Sequence, residues 1–247
     1  MRIARLFFIS VLCGPVLCAQ SCPQSNVYEA APVEEVLHAD RAEVVFKYAA
    51  IAGNTIAPAL LRLSKPDMTV DSVAGAAQVS LARLGDKTAL GELEEELNDS
   101  KTSYRAVPKL ARVGSDAAVA MLMTYLRAHV SDPSIPRNVC DYCTDLRSTL
   151  VGDLSEQLHI GPVGPDGSSL TASWQEWMAW WDQNKGKPIV LSISGEFRDP
   201  YLQCLARKVE WGFPDAIFDM VRTPDPQVIP ILRLWRDLAI RRDDASL

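Results

Sequence analysis

Histidine is scarce in this chain, and the motifs that usually carry enzymatic chemistry are absent. Only three histidines occur, and none adjoins an obvious nucleophile or stands at helical spacing from a second metal ligand. The sequence contains no glycine-rich phosphate loop and no H-E-x-x-H, G-x-S-x-G or calcium-loop pattern. It therefore predicts no cofactor, no metal site and no catalytic residue, and it favours a non-enzymatic protein.

Basic residues are outnumbered by acidic ones. The chain has 25 lysines and arginines against 31 aspartates and glutamates, a formal net charge of −6 and a pI near 5.2. Binding to nucleic acid rewards a basic face, and anionic membranes attract clusters of lysine and arginine. The charge balance therefore argues against nucleic acid as a partner and against electrostatic binding to a membrane.

Long apolar runs are missing beyond the N-terminus, where residues 6–17 read LFFISVLCGPVL. This run is too short to span a bilayer. Arg2 and Arg5 precede it, and Ala19 follows as a small residue at a plausible cleavage position. The pattern is typical of a secretory signal peptide, here residues 1–19, although a buried N-terminal helix is the alternative. We expect a secreted or periplasmic protein with no membrane span after cleavage.

Cysteine is sparse, and the predicted export to an oxidising compartment affects how the cysteines are interpreted. Outside the predicted leader stand Cys22, Cys140, Cys143 and Cys204. An even number in an oxidising compartment favours disulfides, but the spacing cannot choose among the possible pairings. Cys140 and Cys143 form a C-x-x-C, which is either a thiol–disulfide exchange site or part of structural disulfides. No strand of a thioredoxin-like fold precedes this motif, so the structural interpretation is favoured.

A threefold repeat organises residues 40–130. Each copy has an apolar helix, a turn and a second helix, and the turn glycines Gly53, Gly85 and Gly114 lie roughly 30 residues apart. An alanine stands three residues before each glycine, another alanine four after it, and a leucine eight after it. These residues are Ala50, Ala82 and Ala111; Ala57, Ala89 and Ala118; and Leu61, Leu93 and Leu122. Such a period indicates stacked helix pairs, because one pair cannot bury its apolar face alone.

The turns have predicted roles within each repeat. Each glycine is expected to end the first helix in a left-handed conformation. Asn54, Asp86 and Ser115 follow the glycines and are predicted to be caps or near-caps of the second helices. The second helix of the middle copy also carries an acidic run, consisting of Glu92, Glu94, Glu95 and Glu96. We interpret this run as a solvated helix face, with a patch for a cationic partner as the alternative.

These copies resemble the short HEAT-like repeats of the phycobilisome-lyase type, whose units read roughly A-L-A-x-x-G-D-x-x-A-x-x-x-L-x-x-x-L. The matching residues are Leu81, Ala82, Gly85, Asp86, Ala89, Leu93 and Leu97, then Leu110, Ala111, Gly114, Ala118, Leu122 and Leu126. The resemblance implies an all-α fold, an α-solenoid of stacked antiparallel helix pairs with a helical C-terminal cap. Relatives of this type bind bilins, but the repeat specifies a fold and not that chemistry.

The rest of the chain divides around the repeats. Residues 20–39 form an N-terminal segment, and residues 131–187 are predicted to be a degenerate repeat that contains the C-x-x-C, a loop and a tryptophan-rich helix. Residues 188–247 are predicted to form the helical cap. Residues 189–196, IVLSISGE, are the one convincing strand-like run, which a short extended connection would also explain.

The tryptophan-rich helix follows Ser173, which is predicted to cap it. Trp174, Trp177 and Trp181 are spaced to share one face. An aromatic row can stack on sugar rings or grip a peptide, so these three are ligand-contact candidates, although burial in the core is the commoner role. Glu176 and Asp182 stand beside them and raise the possibility of a glycosidase, which needs two carboxylates flanking one bond.

We therefore expect an exported, non-enzymatic HEAT-like scaffold that binds a protein or peptide on the concave face of the array. The alternative is an envelope enzyme or accessory protein. It would act by thiol–disulfide exchange through Cys140 and Cys143, or by carbohydrate binding through the tryptophan-rich helix.

Overall fold

The structure is a computed structural model that describes most of the chain beyond residue 30. The described residues are 31–65, 68–129, 152, 154, 160–162, 164–165, 172–190, 192–213, 215–221 and 225–246. Every regular element among them is helical, so the predicted all-α class is confirmed for this part of the chain. The predicted signal peptide, Cys22, Cys140, Cys143 and most of residues 131–171 lie outside the described residues.

The helices are short, and the first seven belong to the N-terminal and repeat regions. They are α1 (Ala31–Leu37), α2 (Ala42–Ala52), α3 (Ala57–Leu63), α4 (Val73–Arg83), α5 (Lys87–Asn98), α6 (Ser103–Val113) and α7 (Asp116–His129). The later helices are α8 (Trp174–Asn184), α9 (Pro200–Glu210), α10 (Ala216–Val221) and α11 (Ile229–Ser246). Single 3₁₀ turns occur at Gly53–Ile56, Ser194–Glu196 and Pro226–Val228.

Helix α4 lies at the centre of the main core. It packs against α2, α3, α5 and α6, and every residue from Gly75 to Ala82 is buried. Most of these residues are small, which lets four neighbouring helices approach one backbone closely. Helices α5 and α6 pack against each other and against α7.

The predicted turn chemistry is confirmed in the second and third repeats. Gly85 and Gly114 both have positive φ, at 93° and 58°, the region in which glycine meets no Cβ penalty. The Asp86 carboxylate accepts hydrogen bonds from the backbone N–H groups of Thr88 and Ala89 at 2.8 and 3.0 Å. Ser115 Oγ accepts a bond from Ala118 N at 3.2 Å.

The first repeat departs from the pattern. Gly53 has positive φ, but Asn54 lies inside the 3₁₀ turn and does not cap α3, which begins after Ile56 without a side-chain cap. Each residue of a 3₁₀ turn rotates the chain by about 20° more than a residue of an α-helix does. Over the turn Gly53–Ile56, this extra rotation moves the buried face of α3 by roughly one position toward the N-terminus. The predicted core leucine, Leu61, is therefore 57% exposed, and its neighbour Leu60 is completely buried.

The acidic run on α5 is only partly a solvated face. Glu92, Glu94 and Glu95 are exposed, as predicted, but Glu96 is buried. Its carboxylate pairs with Lys109 Nζ of α6 at 2.6 Å. Gln78 of α4 joins both, because its amide donates to Glu96 Oε1 at 3.1 Å and accepts from Lys109 Nζ at 2.9 Å. Three helices thus meet at one buried polar cluster.

The C-terminal helices pack back onto the start of the repeats. Helix α9 contacts α2, the first helix of the first repeat, as well as α10 and α11. The apolar side chains at this junction form a second core cluster in which Ile51 of α2 joins Leu205, Val209 and Leu234. The strand-like run at residues 189–196 forms no strand among its described residues. It is an irregular connection that ends in a 3₁₀ turn, so the extended-connection alternative describes it better.

One helical stretch of the described chain, Ala42–Leu63, is long and apolar enough to cross a membrane by length and composition. It comprises α2, the 3₁₀ turn and α3. Just over half of its most apolar window, 56%, is buried against the rest of the protein, as is typical of a core helix. The stretch coincides with the first repeat, so the expectation that no long apolar run follows the N-terminus is wrong.

A close backbone approach at Gly75 gives a testable consequence. A Cβ at this position would lie 2.0 Å from the carbonyl oxygen of Thr69, so Gly75→Ala forces the backbone apart. We expect the free energy of unfolding, measured by urea denaturation, to fall by about 1–3 kcal/mol. The matched control is Gly91→Ala in α5, where a Cβ would meet nothing within 4 Å. The free energy of unfolding of the Gly91→Ala variant should rise by up to about 1 kcal/mol. Equal effects at the two positions would contradict the close approach of Gly75 to Thr69.

Candidate functional site

The tryptophan-rich helix α8 is anchored by its predicted cap. Ser173 Oγ accepts from Glu176 N at 3.3 Å, and Glu176 Oε2 accepts from Ser173 N at 2.6 Å, which together make a capping box. Trp177 and Trp181 are only 1% and 8% exposed and belong to the main core. Trp174 begins the helix, and its side chain is outside the described part of the structure. The rings of Trp177 and Trp181 are therefore occupied by packing and are not available to stack on a sugar ring.

The two carboxylates beside the tryptophans are committed to structural contacts. A hydrogen bond from the Ser173 backbone, chiefly, lowers the pKa of Glu176. The hydrogen bond from Arg127, followed by that from Lys185, lowers the pKa of Asp182. A glycosidase needs one carboxylic acid that stays protonated, which requires a raised pKa. Neither residue has that property.

One of the four cysteine candidates is described. Cys204 lies in α9, is completely buried and is disulfide-bonded. The cysteine bonded to it lies outside the described residues, as do Cys22, Cys140 and Cys143. The pairing and the redox role of the C-x-x-C therefore stay predictions.

The connection from α8 to α9 and helix α9 itself each contact a turn of the repeats. Asp116, at the third turn, accepts from the backbone N–H groups of Ile189 and Val190 at 2.9 and 2.8 Å. At the first turn, the Arg207 guanidinium donates to the carbonyl oxygens of Ala50 and Ile51. A cation there also complements the negative C-terminal end of α2.

Arg83 occupies the middle of this junction, at the end of α4. Its guanidinium lies 4.4 Å from the centroid of the Trp211 ring and donates to the carbonyl oxygen of Glu210 at 2.9 Å. Burial, reinforced by the nearby charge of Arg112 and opposed by Glu210, lowers the pKa of Arg83 to about 9. Arg83 therefore remains charged at neutral pH.

A cavity of about 260 Å³ opens beside this arginine. Its wall includes Ser115 and Asp116 from the third turn and Glu210 and Trp211 from the end of α9. None of the site residues that were predicted from the sequence and are described by the structure lies in this cavity. A signal was available, because Arg83 and Arg112 each stand two residues before a repeat glycine, but only the fold places the end of α9 against Arg83.

A second surface feature lies on α11. Ile229, Leu232 and Trp235 recur every three residues and are 48%, 36% and 38% exposed. Their neighbours Ile231 and Leu234 face the core and are buried. The described part of α11 is therefore apolar on two sides, one packed and one open to solvent.

Within the described residues, no group of three or more histidine, cysteine, aspartate or glutamate side chains is placed to hold a metal ion. A buried lysine, Lys208, is paired with Asp215 and Asp219 at 2.9 Å each and links α9 to α10. Comparison with known proteins found no matching family model, no similar curated protein and no similar solved structure.

Proposed function

We propose that this chain is an exported, non-enzymatic HEAT-like α-solenoid that binds a protein or peptide partner. The observation that carries the proposal is the exposed apolar stripe of α11, formed by Ile229, Leu232 and Trp235. Tryptophan is among the residue types that contribute most to protein–protein binding. Trp235 is exposed on a helix whose apolar residues Ile231 and Leu234 are buried in the core. It is therefore placed to contact a partner protein.

The repeat architecture is supported by the turns and by the helix contacts. Two turn glycines have the expected conformation and are followed by capping residues. The first helices α2, α4 and α6 are neighbours in chain order, since α4 packs against both of the others. Repeats of this kind hold a binding surface rigidly without contributing chemistry of their own.

Export is supported by the apolar N-terminal run with its leading arginines and by the disulfide at Cys204. Disulfides persist in oxidising compartments and are rare in the cytosol. The mature protein would therefore act outside the cytoplasm, in the periplasm or beyond the cell.

The test is to place a photo-crosslinking amino acid at position 235 in the exported protein, identify the captured protein and titrate it in purified form. Tyr104 is the matched control, because it is an exposed aromatic residue, 48% accessible, on α6. We expect Trp235→Ala to weaken binding about thirtyfold, as for a hot-spot residue, and Tyr104→Ala to leave it unchanged. A partner that binds both variants as tightly as the wild type would overturn the proposal.

Thiol–disulfide exchange through Cys140 and Cys143 remains the second candidate. A non-reducing peptide map of the mature protein tests it. A Cys140–Cys143 bond that opens under mild reductant would favour exchange, and bonding of either residue to Cys22 or Cys204 would exclude it.

A further inference from the structure

The Arg83 guanidinium carries a charge that the nearby Glu210 carboxylate offsets only in part. Among the described residues it makes one hydrogen bond, to a backbone carbonyl oxygen, and one ring contact, and it pairs with no carboxylate there. A guanidinium has five N–H donors, so most of its donors have no acceptor among the described residues. The charge of Arg112 acts on this cation more strongly than the opposite charge of Glu210, so a further anion at the site would stabilise it.

The cavity beside Arg83 has room for such an anion. Its volume of about 260 Å³ is slightly below the usual range of ligand pockets, which limits the ligand to a small group. Ser115 lies on the wall, and its oxygen already accepts the capping bond from Ala118 N. The hydroxyl proton of Ser115 is therefore a second donor for a ligand that Arg83 binds.

Two carboxylates on the same wall restrict which anion fits. The Glu210 carboxylate accepts bonds from Ser192 Oγ, from Ser194 Oγ and from the backbone N–H groups of Ile193 and Ser194. Asp116 Oδ1 accepts the two backbone bonds from the connection. These hydrogen bonds use much of the accepting capacity of the Glu210 and Asp116 carboxylates. Both carboxylates still carry a negative charge, so they repel a doubly charged ligand such as phosphate more strongly than a singly charged one.

We propose that the cavity between Arg83, Ser115 and Trp211 binds a single carboxylate, either of a small organic acid or of the C-terminus of a peptide. The guanidinium would hold the carboxylate in two hydrogen bonds, with Trp211 fixing the plane of the guanidinium. This site is separate from the α11 stripe and does not depend on it.

The experiment titrates acetate into the mature protein and follows the Arg83 Nε–H and Trp211 Nε1–H signals by NMR. Both signals should shift together and saturate. Arg83→Gln should weaken acetate binding at least about tenfold, the effect of losing a charge-assisted hydrogen bond. Arg127→Gln is the matched control, since it removes the same charge from an exposed pair with Asp182, and it should leave the affinity unchanged.

A second variant tests the site without removing the arginine. Asp116→Asn keeps an oxygen acceptor for Ile189 and Val190 and removes a negative charge from the wall, so acetate should bind more tightly. Inorganic phosphate should bind more weakly than acetate. If an acetyl dipeptide binds more tightly than acetate and loses its affinity when its C-terminus is amidated, the natural ligand is the C-terminus of a peptide. If the dipeptide and acetate bind with equal affinity, the natural ligand is a small organic acid.

The proposal is overturned if acetate shifts neither signal, if the two arginine variants lose affinity equally, or if Asp116→Asn weakens binding. If Arg83→Gln does not fold, the Asp116→Asn titration decides alone. Trp235→Ala should not change acetate binding, so a failure of this site and a failure of the α11 surface are distinguishable.

Discussion

Replacing Lys109 with methionine is expected to lower the free energy of unfolding by about 3–5 kcal/mol, because it removes the cation that is paired with the buried Glu96 carboxylate. Lys109 is completely buried and Glu96 is 6% exposed, and their charged atoms are 2.6 Å apart. Methionine fills a similar volume, so the loss reflects charge rather than packing. Urea denaturation, with the midpoint and slope compared between variants, measures it.

The control for this prediction removes the whole cluster. A variant with Lys109→Met, Glu96→Leu and Gln78→Leu has no buried charge left to satisfy and should recover most of the lost stability. If the single and the triple variant are equally destabilised, the loss comes from packing and not from the uncompensated carboxylate. Glu94→Leu on the same helix, at an exposed position, should change stability by less than about 0.5 kcal/mol.

Truncation of two adjacent leucines in the first repeat should lower stability by very different amounts. Leu60→Ala is expected to cost about 2–5 kcal/mol, since it opens a cavity in the core, and Leu61→Ala less than about 0.5 kcal/mol. Leu60 is completely buried, whereas Leu61 is 57% exposed. The same urea denaturation compares the two variants, which differ by one position and have identical chemistry.

The leucine pair also tests the register of the repeat. The sequence pattern alone assigns the core position to Leu61, by analogy with Leu93 and Leu122, which are both fully buried. A larger loss at Leu61 than at Leu60 would restore the sequence-based register and contradict the 3₁₀ turn at Gly53–Ile56. Comparable losses at both positions would mean that the first repeat has no single register.

Local features of this protein were readable from the sequence. A helix ends or begins through bonds to residues within four positions, so Gly85 with Asp86 and Ser173 with Glu176 predict their turns and caps without reference to the rest of the fold. The helical repeat of apolar residues likewise predicts α5, α6 and α7, because each helix shows its buried stripe in its own sequence.

Other features depend on contacts between distant residues. Glu96 reads as one more member of an acidic run, and only the approach of Gln78 and Lys109 from two other helices makes it a buried ion-pair partner. The docking of α9 onto α2 likewise has no local signal, since Arg207 finds its acceptors about 157 residues away.

The all-α class, the repeat period and the chemistry of most turns can be read from the sequence, because they follow from short-range hydrogen bonding and from the spacing of apolar side chains. Three other features emerge only when the helices pack together: the buried leucine of the first repeat, the pairing of the charges and the position of the cavity beside Arg83. These features depend on how separate helices pack. Packing and desolvation act between side chains that are close in space, and the separation of two residues along the chain does not give their distance in space.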